Sequence, residues 1–88
     1  MERIVRLPDY TPQGGVRMIW EGDARITVKL GEHTPAIFIN ANEAGLVSLA
    51  NLLLFLAQPN VPSGAHAHLD DLNGLEDGSC EIVFGRSE

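Results

Sequence analysis

His66-Ala67-His68-Leu69-Asp70-Asp71 is the stretch of this chain whose residue types and spacing best suit chemistry. On a strand, residues two apart share a face, so two imidazoles and a carboxylate would project together, with alternate Cα atoms about 7 Å apart. That arrangement suits a divalent metal, with His66, His68 and Asp70 as the ligand set. The same residues also read as a plain polar sheet face, with histidine alternating with alanine on a half-exposed strand. His33 is distant in sequence and brings no further ligand.

Other chemistry is poorly served. Cys80 alternates with Ile82 and Phe84, which predicts a small side chain on an apolar face rather than a nucleophile. Ser48, Ser63 and Ser79 stand in no nucleophile-elbow context, and the glycines form neither GxGxxG nor a phosphate loop. Asp70 and Asp71 could hold a metal or act as acid and base, but adjacent acids at a strand end are usually solvated. The expectation is a protein that is not an enzyme, with no catalytic residue and no cofactor.

The chain has 88 residues, room for a single domain spanning residues 1–88 with one core. A hydrophobic share of 44% with 20% charged residues is too apolar for a disordered chain. Twelve acids against six bases give a net charge of −6, which argues against nucleic acid as a direct ligand. The charge is uneven. Residues 1–60 carry six acids and five bases, whereas residues 61–88 carry six acids and one base, Arg86. Asp70, Asp71, Glu76, Asp77 and Glu81 therefore concentrate a negative field that would steer a basic protein partner. The plainer reading is an acidic loop that maintains solubility. Met1-Glu2-Arg3 carries charge where a secretory signal would be apolar. The longest apolar run, Leu52 to Ala57, falls far short of the roughly 20 residues that span a bilayer. With one free thiol, these features predict a cytoplasmic protein without membrane contact.

The elements that must position these residues follow from periodicity. Arg3 to Leu7 reads as a short edge strand, and Asp9 to Gly15 as a loop. Val16 to Trp20 reads as a strand that places Val16, Met18 and Trp20 in the core. Glu21-Gly22-Asp23 turns into a strand over Ala24–Leu30, where Ala24, Ile26, Val28 and Leu30 alternate with Arg25, Thr27 and Lys29. Ala36 to Ile39 is a third strand. A helix is predicted over about 43–58, with Asn40 and Asn42 as candidate N-caps, Glu43 three residues after Asn40 in capping-box spacing, and Pro59 as its stop. Leu46, Leu49, Ala50, Leu53 and Ala57 form its apolar stripe, flanked by Leu54 and Leu56. Leu52 and Phe55 fall on nearly the opposite side, beside Ser48 and Asn51, and are the expected interface of a homodimer. Ala65 to Asp70 and Cys80 to Phe84 are the two C-terminal strands. The fold class is α+β: an antiparallel sheet of about four to six strands with one amphipathic helix on one face.

Several spaced pieces resemble one family. Asn40-Ala41-Asn42-Glu43-Ala44-Gly45-Leu46 leads, followed by Leu49-Ala50 and Leu56-Ala57. Pro62-Ser63-Gly64-Ala65-His66-Ala67-His68-Leu69-Asp70 comes next, and then Leu75-Glu76-Asp77-Gly78-Ser79-Cys80-Glu81-Ile82-Val83. Taken together over residues 37–84 they resemble the Immunity protein 32 family. One departure is Ala44, which separates Glu43 from Gly45 where the family pattern runs glutamate directly into glycine. The resemblance implies a small cytoplasmic α+β bacterial protein of polymorphic toxin systems that binds and blocks a cognate toxin. Neither the toxin nor the contact residues come with it. An acidic, uneven surface is compatible with a basic toxin as partner, met through Asp70, Asp71, Glu76, Asp77 and Glu81.

Overall fold

A computed structural model describes residues 1–88. Its elements run β1 (Ile26–Leu30), β2 (Ile37–Ala41), α1 (Glu43–Leu56), β3 (His66–Leu69) and β4 (Ile82–Gly85). The architecture is α+β, but the strands form two antiparallel two-stranded sheets, β1–β2 and β3–β4, rather than one sheet of four to six. The two sheets are tied together by the segment before β4. Glu76 N–H donates to the Ile26 carbonyl and Cys80 N–H to the Val28 carbonyl, both at 2.9 Å, while the Ser79 hydroxyl accepts from Val28 N–H at 3.1 Å. This stretch lies along the edge of β1 that β2 leaves free. It does not form a regular ladder, because a side-chain oxygen stands where a backbone acceptor would.

β1 alternates as expected at Ile26 and Val28, whereas Leu30, placed on the same face by the pattern, is exposed at its end. Ile26 and Val28 are each only 1% exposed, and with Leu52, Leu56, Val61, Leu69 and Leu75 they make the core. Cys80, Ile82 and Phe84 pack against that cluster from the side, as their alternation predicts.

The helix turns a different face inward from the one its leucine stripe suggests. Leu52 and Phe55 are 0% exposed within the single chain, so they are core residues and not a dimer interface. Leu46, Leu53 and Leu54 stand about half exposed instead. The reason is polar. Ser48 and Asn51 lie on the buried face because other parts of the chain need them: the Ser48 hydroxyl accepts from Glu21 N–H at 2.8 Å, and the Asn51 amide donates to the Ile19 carbonyl at 3.2 Å. Val16–Trp20 forms no strand; at its end these helix side chains, and not a neighbouring strand, bond the Ile19 carbonyl and the Glu21 amide. Val16 and Met18 still pack on the core, whereas Trp20 is half exposed and rests on Gly74. A Cβ at Gly74 would fall 2.6 Å from the Trp20 ring, and its φ of 95° also calls for glycine.

The N-terminal segment likewise forms no strand. It is held by Gln58, which donates to the Pro8 carbonyl and accepts from Tyr10 N–H. The Tyr10 ring meets Phe55 edge-on, with centroids 6.4 Å apart.

The helix begins at Glu43, and of the two candidate asparagines Asn42 is its N-cap, so Asn40 and Glu43 form no capping box. Asn42 Oδ1 accepts from Gly45 N–H at 2.8 Å and from Arg25 N–H at 2.9 Å, while its amide donates to the Asp23 carbonyl. A residue at the end of β2 thus fixes both the helix start and the turn into β1. At the far end Arg86 donates to the Leu56 and Gln58 carbonyls at 2.6 and 2.9 Å, supplying the cation that the last helical turn lacks.

Gly45 sits where the helix crosses β1. A Cβ there would lie 2.7 Å from the Arg25 carbonyl oxygen, 2.9 Å from Ala41 Cβ and 3.0 Å from Ile26. Gly45→Ala should therefore destabilise the fold by about 1–3 kcal/mol despite the better helix propensity of alanine. Thermal denaturation should show this as a Tm lowered by at least about 4 °C.

Candidate functional site

β3 pairs with β4 so that His66 faces Gly85 and His68 faces Val83 on the outer side. The two imidazoles stand edge to face with centroids 4.9 Å apart. His66 Nδ1–H donates to the Gly64 carbonyl at 2.9 Å, and His68 Nδ1 lies 3.4 Å from the Glu81 carboxylate. Asp70 does not join them. β3 ends at Leu69, and the Asp70 carboxylate folds back to accept from Leu72 N–H at 2.9 Å. No group of three or more His, Cys, Asp or Glu side chains is placed to hold a metal ion. The expected set of His66, His68 and Asp70 fails because the aspartate has a nearer donor in its own turn.

The acidic residues occupy the connection from Asp70 to Glu81. Asp71, Glu76, Asp77 and Glu81 are exposed and Asp70 is half buried. The connection is a tethered loop. Asp70 and Asn73 exchange backbone hydrogen bonds, Leu75 N–H donates to the Asp70 carbonyl, and the Asn73 amide donates to the His68 carbonyl at 2.8 Å. The Leu75 side chain is buried in the core beneath it, and Glu76 and Cys80 are bonded to β1. Gly78 N–H donates to the Asp71 carboxylate at 3.4 Å, closing the loop across its width.

Two features of this loop escape a reading of the sequence. Lys29 reaches from β1 to donate to the Gly78 carbonyl at 2.9 Å, placing one cation among the acids. The polar side of β1 signals that it points outward, but not that it reaches this loop. Leu72, at the turn between the two halves, is 95% exposed. Asp23 bonds Arg25 at 2.8 Å and, with a weaker pull from Glu76, holds its guanidinium above the ordinary arginine value.

The sequence model of the Immunity protein 32 family matches residues 36–87, more than half of the chain. The chain belongs to the Immunity protein 32 family. The matched span takes in β2, the helix, the His66–His68 strand, the acidic loop and β4, while β1 precedes it. No curated protein and no solved structure matches the chain. No helix of this Immunity protein 32 member is long and apolar enough to cross a membrane.

With Asp70 turned away, zinc titration of the untagged protein should give no binding heat. A His66→Ala/His68→Ala double variant should leave metal content by mass spectrometry unchanged. Stoichiometric zinc lost on that double substitution would contradict the geometry.

Proposed function

We propose that this member of the Immunity protein 32 family binds a basic protein toxin in the cytoplasm and blocks it, with the Asp70–Glu81 loop as the contact. The observation that carries the reading is a loop both strongly charged and tethered: five carboxylates lie along a connection bonded to β1 at Glu76 and Cys80. A surface already held in place spends little of its binding free energy on ordering. The summed negative field raises the rate at which a basic partner is met.

Leu72 supplies what charge alone does not. Its N–H is held by Asp70 and its apolar side chain projects from between acids, a fitting anchor for a pocket on the partner. Toxins that act on nucleic acid carry basic clefts, and an acidic loop with one apolar tip can occupy such a cleft in place of phosphate.

The test is capture of a panel of basic bacterial toxin domains by the immobilised protein at low and high salt. Asp71→Lys/Glu76→Lys/Asp77→Lys should abolish capture with an unchanged circular dichroism spectrum; Asp70 is left in place because it caps Leu72. Leu72→Ala should weaken any captured pair by about tenfold or more without lowering Tm. Equal capture by wild type and the triple variant would refute the loop as the contact.

A further inference from the structure

The β1–β2 hairpin leaves one edge and part of one face uncovered. Backbone bonds at Gly31–Ala36 and Asn42–Arg25 set the alternation of the ladder, so Phe38 and Asn40 turn their amide groups toward β1. Ile37, Ile39 and Ala41 turn theirs outward, and no turn, loop or side chain supplies them with a partner. The helix crosses the hairpin at its Ala41 end, where Gly45 packs on Ile26 and Ala41. At the other end Leu30, Ile37, Phe38 and Ile39 are left between 41% and 66% exposed. Edge strands are ordinarily blunted by charge, by an internal proline or by a bulge. β2 has none of these.

We infer that β2 is the contact by which two copies of this chain pair, edge to edge and antiparallel about a two-fold axis at Phe38. Charge argues for a second copy. Each chain carries −6, and residues 34–42 hold no acid and no base, so pairing along β2 sets no acid directly against another. The strand is also self-complementary. Ile37-Phe38-Ile39 reads the same in both directions, so the two-fold sets Phe38 against the second copy's Phe38 and Ile37 against its Ile39. In that register the outward amides of Ile37 and Ile39 meet one another as hydrogen-bonded pairs, and the two Phe38 residues form the closer, non-hydrogen-bonded pair. The contact lies across β1 from the acidic loop, so it can fail or hold independently of toxin binding.

Phe38→Glu separates folding from pairing. Within one chain the new carboxylate stands at a half-exposed position and reaches water, whereas pairing would set two carboxylates side by side. Sedimentation velocity from micromolar to submillimolar concentration should show a wild-type dimer that strengthens with added salt. Phe38→Glu should be monomeric throughout, with an unchanged circular dichroism spectrum and, at concentrations dilute enough for the wild type to be monomeric too, no lower Tm. Phe38→Cys in a Cys80→Ser background should oxidise to a disulfide-linked dimer, since Cα atoms about 4.5 Å apart suit that bond. A monomeric wild type would overturn the proposal and leave the edge to a strand of another protein. A dimer that survives Phe38→Glu, or one in which Phe38→Cys fails to cross-link, would overturn the pairing at Phe38.

Discussion

A strand buried in the middle of a protein must satisfy the backbone groups on both of its edges, and in this chain that demand falls on β1. Ile26 and Val28 are almost wholly removed from water, and β2 satisfies one side of their strand. The other side has no strand of its own. The residues between β3 and β4 serve it instead, with two backbone donors and the Ser79 hydroxyl. The acidic loop is therefore part of the framework: without it the Ile26 and Val28 carbonyls and the Val28 amide would be buried unpaired, at a cost of about 1–3 kcal/mol each.

Much of this was legible in the sequence where apolar residues alternate or recur. β1, the later of the two hairpin strands, the helix ended by Pro59 and the two C-terminal strands all follow from pattern. The readings that fail do so where side-chain hydrogen bonds, distant or local, decide the structure. Leucine content marked the outer stripe of the helix as its inner face, because periodicity weighs hydrophobicity and is blind to long-range hydrogen bonds. Ser48 and Asn51 are buried for partners about thirty residues upstream, and Leu52 and Phe55 go inward with them. Val16–Trp20 forms no strand, and its end is held by the same helix side chains. The HxHxD spacing was read correctly as a strand bearing two outward histidines, but the strand stops one residue before Asp70, where a side-chain turn takes over. The charge asymmetry was plain in the sequence, whereas the tethering of the loop that carries it was not.

The two flanks of β1 are chemically unlike. One holds most of the excess acid, a single lysine and one projecting leucine; the other holds an uncharged, apolar edge. Membership of the Immunity protein 32 family supplies the class of function. That division would let a domain this small make both proposed contacts without one blocking the other.

Asn42 makes three hydrogen bonds with its side-chain amide: the oxygen serves the helix and β1 together, and the nitrogen serves the Asp23 carbonyl. Aspartate could cap but not donate, and serine could not reach three partners. Because one side chain closes the helix and the hairpin together, neither can fray alone, and the two form one cooperative unit in local opening. The segment before Tyr10 is outside that unit, tied mainly through Gln58. Opening from the N-terminus can therefore release the segment before Tyr10 without disturbing the helix start or the turn into β1.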